Sequence, residues 1–101
     1  MLAHLGAIYG RGNYFARDAC YSVNYAAPPT GSSTCRMILA HVAVLDMVKG
    51  DKELVAPPWR ENGNHEKGKV SVSVDNVSNP SIFVTYMDGQ AYPAYLVHFT
   101  K

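Results

Sequence analysis

Gly10-Arg11-Gly12-Asn13-Tyr14-Phe15-Ala16-Arg17-Asp18 holds a turn, a strand and a helix cap in one short run. Two glycines one residue apart permit positive φ or a close backbone approach, so Gly10 to Gly12 reads as a tight turn. Tyr14-Phe15-Ala16 then reads as a short aromatic strand. Asp18 is placed to N-cap a helix from Ala19 to about Tyr25. The run Pro28-Pro29-Thr30-Gly31-Ser32-Ser33 closes this unit as a loop.

Working outward, Met37 to Val48 is apolar enough for helix or strand. Its valines and its lack of caps favour a strand, with Ile38, Ala40, Val42 and Val44 on one face and Met37, Leu39, His41 and Ala43 on the other. Both sets suit burial. Lys49-Gly50-Asp51 ends it. Pro57 to Gly68 is polar and rich in Pro and Gly, which predicts a surface loop. Val70-Ser71-Val72-Ser73-Val74 alternates and predicts a half-buried strand. Asp75-Asn76, Asn79-Pro80 and Asp88-Gly89 read as turns, with strands from Ile82 to Tyr86 and from Tyr95 to Phe99. The sum is an α+β chain of mostly antiparallel β structure with one or two short helices. No βαβ alternation supports a parallel sheet.

At 101 residues one domain, 1–101, is the natural count. Hydrophobic residues make up 48% and charged residues 17%, a globular balance rather than a disordered one. A net charge of +1 supplies no field for nucleic acid or for a cationic partner. Cys20 and Cys35 form no Cys-x-x-Cys pair and no histidine cluster completes a zinc set, so no metal is expected. The N-terminus lacks a signal-peptide pattern, and no apolar run approaches the ~20 residues that span a bilayer. An intracellular chain, cytoplasmic or nuclear and without a membrane signal, is the expectation.

The chemistry-bearing residues are few. Tyr14, Tyr21 and Tyr25 flank a glycine turn and a polar helix. With Ser22 they suit an aromatic heterocycle carrying an amide, the rings for stacking and the hydroxyls for orientation. On the residues alone, a set of core or interface aromatics is the preferred reading and the ligand site the alternative. Gly-x-Gly without a third glycine, in a unit this short, is no dinucleotide fingerprint. The histidines His4, His41, His65 and His98 are scattered and define no triad. His41 reads as a strand-face residue and His65 as a solvated loop residue. Asp18, Asp46, Asp75 and Asp88 read as cap and turn carboxylates.

The block from Tyr9 to Tyr25 resembles the central signature of the poly(ADP-ribose) polymerase (PARP) family of ADP-ribosyltransferases. Later blocks fit in order. Met37-Ile38-Leu39-Ala40-His41-Val42 resembles the strand after the signature, and Pro57-Pro58 the proline pair beyond it. Ser73 to Val84 resembles the strand bearing the third active-site position, and Gln90 to Val97 the closing strand. The resemblance runs from about Gly6 to Phe99. It implies the C-terminal part of a PARP catalytic fold, with the N-terminal part missing, and NAD as co-substrate. By resemblance, Tyr14 is the active-site tyrosine, Tyr25 stacks on nicotinamide, Ser22 bonds its carboxamide, and Gly12 and Ala16 line the same pocket. Ile82 stands where polymer-forming members carry glutamate. An isoleucine takes no proton, so the resemblance implies transfer of one ADP-ribose to an acceptor protein.

Three departures accompany the resemblance. The family's first active-site residue, a histidine in a His-Gly pair, belongs upstream of the signature, and His4 lies too near the signature to be it. The family often has Tyr-Asp where this chain has the Val70–Val74 stretch. Ala94 replaces a glutamate before the closing Tyr-Leu. The alternative they suggest is a catalytically inactive binding or scaffold module on the same fold.

Overall fold

In the computed structural model, which describes residues 8–61 and 64–101, the Gly10–Gly12 turn leads into strand β1 (Asn13–Ala16) and then helix α1 (Ala19–Val23). Gly10 has φ +124°. Asp18 occupies the N-cap position with extended backbone, but its carboxylate caps nothing and pairs with Arg17 instead. The helix stops at Val23, slightly short of expectation, and Tyr25 N–H donates to Ser22 C=O in its last turn. His4 lies outside the described residues.

The core is a four-stranded sheet. Strand β3 is Met47–Lys49, β6 is Val72–Val74 and β7 is Ile82–Thr85. The order is β1-β7-β6-β3. The β1/β7 and β7/β6 pairs are antiparallel, whereas β3 runs parallel to β6. That parallel pair is the exception to the antiparallel expectation. All three residues of β6 are buried, so the strand is covered on both faces, not half-buried as its alternation predicts. Ser73 is tolerated there because its hydroxyl donates to Tyr9 C=O at 2.7 Å and lies 2.6 Å from Tyr86 Oη.

The long apolar stretch divides. Strand β2 (Cys35–Val42) pairs antiparallel with β8 (Ala91–Phe99) in a two-stranded ribbon. Leu39 opposes Tyr95 and Ala40 opposes Pro93, so Ala94 is the extra residue of a bulge. In this ribbon only Cys35 of β2 is buried. Leu39 is 53% and Tyr95 66% exposed, which overturns the expectation of a strand buried on both sides. The strand breaks after Val42 because its next backbone groups find other partners. Ala43 N–H bonds Gln90 C=O, and the Leu45 and Asp46 N–H groups both reach Ser71 Oγ at 3.0 Å.

Residues predicted as surface loop form a hairpin instead, β4 (Trp59–Glu61) with β5 (Asn64–Lys69). His65 is not simply solvated. Its ring stacks on Trp59 at 3.9 Å between centroids, tilted by 17°. Lys69 Nζ sits 4.9 Å from the Trp59 ring, and Lys67 pairs with Glu61 at 2.8 Å. Arg60 ties the hairpin to the rest by a two-point contact with Asp46, at 2.6 and 3.2 Å. That guanidinium, with the Ser71 N–H, holds the Asp46 carboxyl below the usual carboxylate range.

Candidate functional site

The β1/β7 register sets Tyr14 opposite Val84 and Ala16 opposite Ile82. Tyr14, Ile82 and Val84 form the buried apolar cluster of the sheet, with Tyr9, Ala16, Tyr21 and Tyr86 packed against it. Tyr14 is 2% exposed. Its hydroxyl donates to Gly10 C=O at 2.6 Å and accepts from Tyr9 N–H at 3.0 Å. Both bonds hold the glycine turn against the sheet. Gly12, at the exposed start of β1, has no room for a side chain: a Cβ there would meet the Thr85 carbonyl and the Val84 side chain. Its glycine identity follows from that approach to β7.

Ser22 and Tyr25 stand at i and i+3 at the end of α1, neighbours one turn apart. Ser22 is buried, and it lines a groove of ≈ 430 Å³ with Phe15, Ala16, Met37 and Phe83 among its walls. Tyr25 is 41% exposed and lines a second hollow, of ≈ 440 Å³, with Arg36, Met37, Ile38 and Leu96. The two share Met37 and Ile38, so both open over β2. Tyr21 braces Tyr25, with ring centroids 5.6 Å apart and hydroxyl oxygens 3.4 Å apart. The Tyr25 hydroxyl, aided by burial, pushes the Tyr21 phenol up to about 12.

Two residues not singled out as site residues set the frame. Asp75 accepts from the Ser81 and Ile82 N–H groups at 2.9 and 3.1 Å, and from the Ser81 hydroxyl at 3.1 Å. Burial works against its charge. The donors outweigh it and keep the carboxyl below its ordinary range. This bond fixes where β7 begins, and so where Ile82 sits. Arg17 bonds Asn79 Oδ1 at 3.0 Å and Pro80 C=O at 3.2 Å, joining the entry of α1 to the same loop. Asp75-Asn76 at a turn was the available signal for the first. Nothing in the local spacing marks these loop contacts of Arg17, which reach more than sixty positions along the chain.

The expected site residues thus fall into three places. Ala16, Ser22 and Tyr25 gather around the hollows above β2. Tyr14 and Ile82 are buried in the core and line neither hollow, Ile82 at 4% exposure. Gly12 stands at the opposite end of β1 from α1. An aromatic ring open to solvent, beside a serine and a small residue, can hold a flat heterocycle and orient a polar substituent on it.

A glycine turn, an aromatic strand and a short helix bracing two tyrosines over a strand-rich frame are the parts of a recognised catalytic fold. The chain belongs to the poly(ADP-ribose) polymerase catalytic domain family, whose model matches residues 2–101. It is 41% identical over 95 residues to the human "Protein mono-ADP-ribosyltransferase PARP12", covering 94% of this chain and 13% of that protein. It is 38% identical over 97 residues to human "Protein mono-ADP-ribosyltransferase PARP14", covering 92% of this chain and 5% of the relative. The mouse "Protein mono-ADP-ribosyltransferase PARP11" is 32% identical over 112 residues, with 93% and 33% covered. The chain therefore spans a third or less of the length of these relatives. Among the described residues no helix is long and apolar enough to cross a membrane.

Proposed function

We propose that the protein transfers a single ADP-ribose from NAD to a side chain of an acceptor protein, and that residues 1–101 form the C-terminal part of the catalytic domain. In that reaction the ribosyl C1′–nitrogen bond breaks and nicotinamide leaves with the bonding pair. The acceptor atom bonds C1′ and gives up its proton. Three names among the relatives describe mono-ADP-ribosyltransferases, which supports single transfer. The observation that carries the site is the Ser22/Tyr25 pair, three residues apart at the end of α1, with Ser22 lining one hollow beside Ala16 and Tyr25 lining the adjoining one over β2. Tyr25 supplies the stacking face for the departing ring, Ser22 a hydroxyl for its carboxamide, and Ala16 the room between them. Such a site acts by holding the donor oriented for attack.

Tyr14 and Ile82 enter this proposal as buried core residues. Tyr14 holds the Gly10–Gly12 turn in shape, and Ile82 presents no group that could take a proton from a growing chain. That fits a reaction that stops after one transfer. Gly12 keeps the turn close to β7, where a larger residue would push it away.

The test is calorimetric titration of the full-length protein with benzamide, a nicotinamide-like ring carrying the amide. A base-sized ring on an aromatic face contributes about 1–3 kcal/mol, so Tyr25→Ala is expected to weaken binding by roughly tenfold or more. Equal affinity of wild type and variant removes Tyr25 from the site. A second reading, a non-catalytic binding module on the same fold, is favoured by one observation: both hydrogen bonds of the buried Tyr14 hydroxyl go to backbone. It expects no benzamide binding by the wild type.

A further inference from the structure

A third hollow, of ≈ 470 Å³, lies on the other side of the glycine turn. Its walls include Val55, Pro57, Val70 and Met87, together with two cations, Arg11 and Lys69. No aspartate or glutamate lines it. Among the described residues no ion pair neutralises either cation, whereas Arg17, Arg60 and Lys67 each have an acidic partner. Both cations are exposed. Arg11 is anchored by its backbone N–H, which donates to Leu54 C=O at 2.8 Å. Lys69 rests over the Trp59 ring, whose stacking with His65 stiffens the hairpin.

We propose that this hollow docks an acidic segment of the acceptor protein, a carboxylate side chain seated between Arg11 and Lys69 with apolar neighbours on the aliphatic wall. The charge pattern selects an acidic peptide: two uncompensated cations over an apolar wall complement a carboxylate on a partly apolar chain. A nucleic acid would engage a longer basic track, and the net charge of +1 provides none. The inference deepens the transfer reading and rests on it, because it names a feature of the acceptor.

The experiment is fluorescence anisotropy of a labelled Glu-rich peptide with the full-length protein at low salt. Wild type is compared with Arg11→Gln, Lys69→Gln, the double variant and the charge-keeping Arg11→Lys. Each exposed ion pair is weak, so each loss is expected to cost a few-fold and the double variant on the order of tenfold. Arg11→Lys is expected to retain most of the affinity, and added salt to erase it. Equal binding of the Glu peptide and its Gln counterpart, or no loss in the double variant, overturns the proposal. So does an oligothymidylate that binds more tightly than the Glu peptide and depends on the same two cations, which makes the hollow a phosphate site. Benzamide affinity is read on every variant and is expected to stay at the wild-type value. Failed benzamide binding by wild type counts against the transfer reading alone, since the peptide signal is independent of it.

Discussion

At the residue scale, Tyr14 links the signature to the fold. Its ring belongs to the apolar cluster, while its hydroxyl closes the glycine turn by two bonds. Tyr14→Phe keeps the ring and leaves a carbonyl and an N–H short of a partner. It is expected to lower stability by about 1–2 kcal/mol, measured by urea unfolding. Tyr14→Ala, which also empties the cluster, is a poor probe of chemistry for that reason. Asp75 carries the clearest pH signature. Its folded-state carboxyl titrates below the ordinary value, so its stabilisation is complete above the unfolded value of about 3.9. It is lost as pH falls through the folded one. Asp75→Asn is expected to destabilise the protein at neutral pH and to flatten the fall in stability below about pH 4, read from melting temperature against pH. A variant that melts like wild type at pH 7 removes this role.

At the element scale, the sheet and the ribbon stabilise the molecule unequally. Val84 is fully buried in β7, whereas Leu39 in β2 is half-exposed. Val84→Ala is expected to cost about 1–3 kcal/mol and Leu39→Ala under about 1 kcal/mol, by the same unfolding measurement. The sequence could locate β1, β6, β7 and the turn at Asp88-Gly89, because turn chemistry and β-branched residues mark them directly. It could not tell that β2 would be open. Apolar residues on both faces predict burial, but burial depends on which other elements cover the strand, and that is not a local property. The β4/β5 hairpin was illegible for the opposite reason. Its side-chain contacts across the strands are a Trp59–His65 stack and a Lys67–Glu61 ion pair, which carry no period-2 signal. The parallel β3/β6 pair escaped because its three-residue partner lies inside an apolar run read as one strand.

At the scale of the whole molecule, the chain extends 54 × 24 × 24 Å, with a radius of gyration of 15.0 Å against about 13 Å for a compact domain of this length. The candidate groove sits where the ribbon meets the sheet, with walls from Phe15, Phe83 and Met37. The site was legible only as an ordered set of motifs. Tyr25 and Ser22 at i, i+3 could be paired from spacing alone, but the place of Ile82 in the core depends on contacts of Asp75 and Arg17 that lie far apart in the sequence. The central claim is single ADP-ribose transfer at that site. Its most direct test is incubation of the full-length protein with labelled NAD and an acceptor, with product length resolved on a gel for wild type and Tyr25→Ala. The expected result is one ADP-ribose per modified site with wild type and a loss of at least tenfold with the variant. Polymer from the wild type, or undiminished transfer by Tyr25→Ala, would contradict it.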